Sequence, residues 1–505
     1  MTDPAWAAHL PPGTDAAGVD LLAAGTLPAA WSAHWCAHPD RPVVRDPSGR
    51  WATGADLLAR TSLVAGRLAA AGVRPGDRVL LSGVASIDLV VAHCAALRAG
   101  YVVVPVNAAY TPRELEVIAV DAEPRAAILG DEGLRAAAAS VDPTVVVTGT
   151  DVDLAGGPPP PLDGLGPGDP ALLPYTSGTT GTPKGALLSH GNLLASAEGL
   201  RLAWRWTERD CLILCLPLFH MHGLGVGVHG TLLAGARMVL QTRFDVADVL
   251  AASGDPELGA TLFFGVPTMY ARLAEAPDLG ALRRLRLCVS GSAALAADLH
   301  ARLADRCGQA VLERYGMTET VMLVSNPFDG ERRPGTVGVP LPGVEVRLDP
   351  ETAEILVRGP NVFAGYWHRA EASAEAFTSD GWFRTGDVGA WDEAGYLAIV
   401  GRAKELIITG GFNVYPREIE DVLRAHPGVV DVAVVGTPSA EWGEVVTAYV
   451  EPGPGFDAAG LGEWAASRLA PYKRPRLVHE VSALPRNAMG KVVRDRLRPP
   501  GAGHD

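Results

Sequence analysis

The segment Tyr175-Thr176-Ser177-Gly178-Thr179-Thr180-Gly181-Thr182-Pro183-Lys184-Gly185 constrains this chain more than any other stretch. Every residue in it is glycine, proline, lysine or hydroxyl-bearing, and it follows the apolar run Ala171-Leu172-Leu173-Pro174. A strand that opens into such a loop offers backbone N–H groups, hydroxyls and one ammonium to an anion. Those are the groups that hold a triphosphate. The spacing is not that of a Walker A loop, because no Lys-Ser or Lys-Thr pair follows a Gly-x4-Gly interval. A flexible linker has a similar composition. A Pro-Lys-Gly ending directly after an apolar strand argues against one.

The chain has 505 residues, enough for two to four domains and a large core. Its 43 basic and 57 acidic residues leave a net charge of −14, which argues against nucleic acid as the main partner. Local lysines and arginines can still focus an anionic substrate. No apolar run reaches the roughly 18 residues of a membrane helix. The start, Met1-Thr2-Asp3-Pro4, lacks the basic and apolar regions of a signal peptide. The six cysteines are scattered, with Cys211 and Cys215 in what reads as a buried strand. No His/Cys partner pair completes a zinc site, so the expectation is reduced core thiols in a cytoplasmic protein that spans no membrane.

The first 170 or so residues alternate helical and strand patterns. Ala55 to Ala71 reads as an amphipathic helix, Arg78 to Ser82 as a strand, Ile87 to Gly100 as a helix and Val102 to Val106 as a strand. That alternation predicts βαβ units and a parallel sheet. Residues 156–169, rich in Pro and Gly, read as a surface connection. The sheet pattern returns at Met238 to Leu240 and Leu285 to Val289. After about residue 340 strands such as Val344 to Leu348 and Glu354 to Arg358 show the alternation of antiparallel, half-exposed sheet. The last hundred or so residues read as a small α+β unit: helix Glu418 to Leu423, strands Val429 to Val435 and Val445 to Val450, helix Leu461 to Leu469.

The loop is joined by Ser290-Gly291-Ser292-Ala293, Tyr315-Gly316-Met317-Thr318-Glu319, Thr385-Gly386-Asp387, Gly401-Arg402-Ala403-Lys404 and Pro485-Arg486-Asn487-Ala488-Met489-Gly490-Lys491. In this order they resemble the adenylate-forming superfamily of acyl-CoA synthetases, peptide-synthetase adenylation domains and luciferases. The resemblance covers nearly the whole chain. It implies an α/β fold: a large N-terminal domain of parallel and mixed sheets flanked by helices, with a distorted antiparallel β region, then a small mobile α+β lid. It places the boundary at residues 402 and 403, giving 1–402 and 403–505, with Lys404 at the hinge. It implies ATP, Mg²⁺ and coenzyme A as the small molecules used with a carboxylic acid.

The same resemblance distributes roles. Lys491 matches the catalytic lysine of adenylation, held on a Pro/Gly turn where it stabilises carboxylate and α-phosphate. As a tail residue it would otherwise be a solvated surface lysine. Glu319 would carry Mg²⁺, which takes one or two carboxylates plus phosphate oxygens. A capping role beside Thr318 is compatible with that. Thr176, Ser177, Gly178, Thr179, Thr180, Gly181 and Lys184 would hold the phosphates, with Thr176 also in the catalytic set. Ser292, Ala293, Arg314, Tyr315, Gly316, Met317 and Thr318 would line the adenosine, and Asp387 and Arg402 would meet the ribose. Tyr315 offers an aromatic face, Gly291 and Gly316 allow close backbone approach, and a carboxylate suits a vicinal diol.

His220, Gly265, Val266, Arg286, Ser290, Gly291 and Met322 match the acyl site, with His220 at the wall facing the thioester tunnel and also in the catalytic set. His222 reads as a core histidine. Gly410, Gly411 and Phe412 match the loop that guides pantetheine. Stretches around Val289, Leu312, Pro334 and Gly359 are most similar to malonyl-CoA synthetases. A dicarboxylate keeps one charge after activation, so its pocket needs a cation. Arg286 is the candidate, and a structural arginine at a sheet edge is the alternative. Val321-Met322-Leu323-Val324-Ser325 departs from the polar stretch common in that subfamily. It opens methylmalonate, short or medium monocarboxylates and aryl acids as alternatives, as do a carrier-protein or small-molecule acceptor and a silent nucleotide-binding regulator. Lys491 is also an expected target of a lysine acetyltransferase, since acetylation would remove its charge.

Overall fold

The computed structural model describes residues 4–176, 183–410, 412–439, 441–486 and 491–497. Ser177, Gly178, Thr179, Thr180 and Gly181 of the phosphate loop, and Gly411 of the glycine pair, lie outside the described residues. The chain divides into two compact units, Met1–Val346 with Val357–Phe383, and Arg347–Leu356 with Arg384–Asp505. The second unit thus begins ahead of residue 403. Strand Phe383–Trp391 pairs antiparallel with Leu397–Arg402, with Asp387 opposite Arg402.

The first unit holds the expected βαβ texture. Strand Arg78–Ser82 pairs in parallel with Val102–Pro105 on one side and Pro124–Leu129 on the other. Helix Gly54–Ala70 begins at a reciprocal cap between Thr53 and Asp56, worth about 1 kcal/mol. It buries Leu57, Thr61, Val64 and Leu68, one stripe at helical spacing. It stops at Gly72, whose φ of +91° suits glycine. Helix Ile87–Arg98 starts at the Ser86 cap and is buried on every side. Its near-continuous apolar sequence requires that.

The second sheet of this unit positions the chemistry. Strands Cys211–Leu214, Leu262–Gly265, Leu287–Ser290 and Leu312–Tyr315 run parallel as neighbours. Ile213 lies beside Phe263, Gly265 beside Ser290, and Ser290 beside Glu313. The first three are largely apolar runs because helices cover both faces, whereas Leu312–Tyr315 carries Glu313 and Arg314. Parallel strands release their following segments at one edge, and open α/β sheets bind ligands there. Here that edge carries His220, Val266, Gly291, Ser292 and Gly316.

The second unit has a sheet of Phe412–Val414, Ile407–Thr409, Gly443–Pro452 and Val429–Ser439, with Leu477–Glu480 added parallel to Gly443–Pro452. Helix Pro416–Arg424 covers it, packing Ile419 and Leu423 against Val432, Val434, Val446 and Leu461. The six cysteines are unpaired, and only Cys36 is exposed. Among the described residues no helix is long and apolar enough to cross a membrane.

Candidate active site

Glu319 is 5% exposed and lies just past the Tyr315–Gly316 turn. The Tyr366 hydroxyl donates to its Oε1 at 2.9 Å. Burial, then the Glu319 charge, pushes the Tyr366 phenol above its ordinary range, so it remains a donor. Lys184 Nζ stands 5.4 Å from the Tyr366 ring centre. Strand Lys184–Gly185 closes the phosphate loop by pairing with Tyr175–Thr176. Ala186 bridges Tyr366, and the Trp367 N–H donates to the Gly185 carbonyl. The Phe363 N–H donates to the Glu319 carbonyl, and Asn361 Nδ2 donates to the carbonyls of Thr320 and Met322. The stretch Gly359 to Trp367 therefore laces Glu319 to the end of the phosphate loop. The sequence reading assigned Tyr366 no role. Its only signal was a hydroxyl-bearing aromatic inside Gly365-Tyr366-Trp367.

Among the described residues no cluster of three His, Cys, Asp or Glu could hold an ion. One carboxylate completed by phosphate oxygens fits Mg²⁺, which keeps several non-protein ligands. With Tyr366→Phe, the Glu319 carboxylate loses a buried donor, a cost of about 1–3 kcal/mol. We expect about a tenfold rise in the KM for MgATP, read by pyrophosphate release, with the CoA step unchanged.

Backbone geometry marks the same edge. Ser292 and Val321 adopt φ of +70° and +59°. Both are unusual for residues with a Cβ, Val321 most of all, and such strain gathers at ligand sites. A Cβ on Gly316 would meet the Val321 carbonyl oxygen at 2.2 Å, so the chain's own backbone leaves room only for glycine there. His222 is buried, stacked on Phe264 at 6.4 Å, with Nδ1 3.4 Å from Ser292 Oγ. The His222 backbone N–H donates to His220 Nδ1 at 3.2 Å. Burial, then Arg314 and His220, hold its pKa well below the ordinary value, so the ring is neutral. Gly265, Val266, Ser290, Gly291 and Met322 gather near this edge, with Met322 Cα 2.7 Å from a Cβ built on Gly316.

Arg286 does not join them, and its acyl role is corrected. It precedes strand Leu287–Ser290, at the amino end of the parallel strands, about 13 Å from Ser290. Its Nε and Nη2 bind Asp210 Oδ1 and Oδ2, each at 2.7 Å, and Nη1 donates to the Trp204 carbonyl. Asp210 and Thr261, which precede the neighbouring strands, are bonded to each other at 2.7 Å. Burial alone would raise the Asp210 carboxyl, but the Arg286 hydrogen bonds outweigh it and hold it low. The guanidinium ties three strand starts together. Arg286→Leu should cost about 3 kcal/mol in urea unfolding, since it strands a buried carboxylate, and should leave the preference among acids unchanged.

In the second unit Arg402 Nε binds Asp387 Oδ1 at 2.7 Å across the hairpin. Asp387 is 3% exposed and Arg402 half-exposed. Lys491 keeps solvent access, yet the protein around it, and then the Arg402 charge, lower its pKa, while Glu405 and Asp387 oppose that. Lys404 is exposed in the turn Ala403–Glu405. Gly410 has φ of +56°, and a Cβ on it would meet the Trp442 ring at 2.8 Å. Phe412 is exposed and stacks on Tyr472 at 4.4 Å.

A fold with a glycine-rich loop ahead of a carboxylate-bearing turn at one sheet edge, followed by a small lysine-bearing unit, defines a nucleotide-activating enzyme. Residues 32–367 match the family model of the AMP-binding enzyme, and residues 418–491 that of the AMP-binding enzyme C-terminal domain. The chain belongs to this family. Feruloyl-CoA synthase of Amycolatopsis sp is 39% identical, with 91% of this chain and 96% of the relative covered. Sulfoacetate–CoA ligase of Cupriavidus necator is 37% identical, covering 95% and 97%. Mitochondrial malonate–CoA ligase of Mus musculus is 40% identical, covering 65% and 64%. ATP-bound MatB from Rhodopseudomonas palustris superposes with a TM-score of 0.86 at 42% identity, covering 93% and 98%. The chain is an AMP-forming acid–thiol ligase.

Proposed function

We propose that this enzyme activates malonate or methylmalonate as the acyl-adenylate and transfers the acyl group to CoA. The likeness to MatB and to malonate–CoA ligase supports the acid. The observation that carries the chemistry is Tyr366 at the end of the phosphate loop, whose hydroxyl fixes Glu319 and whose ring faces Lys184. A carboxylate oxygen of the acid attacks the α-phosphorus of ATP, and pyrophosphate leaves. The CoA thiolate then attacks the carbonyl carbon, and AMP leaves with that oxygen. Thr176, Lys184 and the loop residues Ser177 to Gly181 hold the phosphates. Mg²⁺, bound through Glu319, would neutralise charge developing on them. Tyr315, Gly316, Met317, Thr318, Ser292 and Ala293 take the adenosine, and Asp387 and Arg402 the ribose. Gly410, Gly411 and Phe412 guide the thiol arm, and Lys404 is the hinge. Lys491 lowers the barrier of the first step by charge stabilisation, so no protein nucleophile is needed.

The similarity to feruloyl-CoA synthase favours one second reading, an aryl acid. ATP–pyrophosphate exchange across malonate, methylmalonate, butyrate and ferulate separates the two. Exchange confined to the malonates supports the proposal, and exchange with ferulate alone overturns it.

A further inference from the structure

The segment that carries Lys491 is anchored on both sides. The Val493 N–H donates to the Pro485 carbonyl at 2.7 Å, and Arg486 bridges Val492, so the loop is closed at its base. Val492 packs against the cluster of Leu484, Ala433 and Tyr449, and Arg486 is ion-paired to Asp431 on strand Val429–Ser439. The second anchor is Arg494, just past the lysine. Its Nη2 donates to Glu420 Oε1 at 2.7 Å, and its Nη1 lies 3.2 Å from Glu405 Oε2. Glu420 is 6% exposed on helix Pro416–Arg424, and the same Oε1 accepts the Val434 N–H at 2.8 Å. Glu405 closes the turn Ala403–Glu405, which directly follows Arg402, the partner of Asp387. One planar group therefore spans the lysine segment, a helix seated on the core and the turn beside the Arg402–Asp387 pair. Guanidinium suits that task, because its donors point in fixed directions and two carboxylates hold it in one orientation. Burial and then Arg402 lower the Lys491 pKa, Glu405 and Asp387 oppose them, and Arg494 adds to the lowering, so all these charges act on one ammonium.

We propose that Arg494 is a positioning residue for adenylation: by gripping Glu405 and Glu420 together, it sets where the Lys491 ammonium stands relative to the Arg402–Asp387 pair. This rests on the reading of Lys491 as the cation of the first half-reaction and deepens it. Arg494 acts through Lys491, not on substrate. A preorganised charge works only where the developing charge falls, and a misplacement of about 1 Å costs about 10²-fold. The second half-reaction makes no use of Lys491, so it should not feel Arg494.

The test measures the two half-reactions separately, with whichever acid supports ATP–pyrophosphate exchange in wild type. In Arg494→Met the kcat of pyrophosphate release should fall by about 10²-fold. The KM values for ATP and acid, and thioester formation from preformed acyl-AMP, should move less than about threefold. A merely structural role lowers both half-reactions together, and that outcome overturns the proposal. Glu405→Gln should slow pyrophosphate release about tenfold, and adding it to Arg494→Met should cost less than about threefold more, because the two side chains act as a unit. Losses that multiply overturn the link through Glu405. Where Arg494→Met does not fold, Arg494→Lys keeps the charge without the fork and should still slow the first half-reaction about tenfold. An unchanged rate there also overturns it. Lys491→Ala separates this proposal from the reading beneath it. Slow pyrophosphate release in Lys491→Ala with a normal rate in Arg494→Met defeats the positioning role alone. A normal rate in Lys491→Ala defeats the role of Lys491 and this proposal together.

Discussion

Lys491→Ala should lower the rate of pyrophosphate release by about 10²- to 10³-fold, the loss typical of removing one preorganised charge or donor from a developing oxyanion. Thioester formation from preformed acyl-AMP should stay within about threefold of wild type. The asymmetry follows from where charge moves. In the first step negative charge redistributes between the attacking carboxylate and the α-phosphate, and an ammonium stabilises it. In the second, a thiolate meets an already activated carbonyl. Burial and then Arg402 lower the Lys491 pKa, with Glu405 and Asp387 opposing them. Lys491→Arg keeps the charge but spreads it over a wider planar group, and should recover only part of the rate. Equal losses in both half-reactions would contradict the role.

Mild acid should unfold the first unit. His9, His93, His190, His222 and His229 are all buried there. Burial holds His9 and His190 near about 4 and His93 near about 3, and puts His222 and His229 well below the ordinary value. His93 and His229 also face each other at 2.8 Å between Nε2 atoms, so one proton on the pair opposes the next. The sign follows from linkage. Above the unfolded histidine pKa, about 6.5, both states are neutral and pH has no effect through these groups. Below it the unfolded chain takes up protons that the fold refuses, so stability falls by up to about 1.4 kcal/mol per pH unit for each histidine. Five together approach 7 kcal/mol per unit, against a typical total of about 5–15. The urea midpoint should therefore drop steeply between about pH 6.5 and pH 5. His229→Gln, which cannot take a proton in this range, should flatten the slope. A midpoint constant from pH 7.5 to pH 5 would contradict this.

The elements were legible in the sequence because they are local. The Leu57–Thr61–Val64–Leu68 stripe, the Gly72 stop and the Arg78 to Ser82 strand depend on residues a few positions apart, and the structure matches them within a residue or two. Of the parallel strands from Cys211 to Tyr315, the sequence marked the runs at Cys211 and at Leu285 to Val289, while Leu262–Gly265, Leu312–Tyr315 and the order of all four came from the structure. Arg286 misled because its environment is not local. Its partner Asp210 lies 76 residues away, and nothing in Leu285 to Ser290 shows which strand end it occupies. Tyr366 went unassigned for a related reason, since its hydroxyl meets a carboxylate 47 residues earlier. Arg314 was visible only as part of the Arg-Tyr-Gly motif. Its burial with Nε and Nη2 unpartnered is a property of packing, which a linear pattern does not carry. Arg494 went unassigned because its partner Glu420 lies 74 residues earlier.

The central claim, activation through an acyl-adenylate, is tested most directly by oxygen transfer. Malonate labelled with ¹⁸O in its carboxylates is turned over with ATP, Mg²⁺ and CoA, and the products are weighed by mass spectrometry. One ¹⁸O atom per turnover should appear in AMP and none in pyrophosphate, with the label retained in the thioester carbonyl. Label in inorganic phosphate, with ADP in place of AMP, would mean an acyl phosphate and would contradict the account.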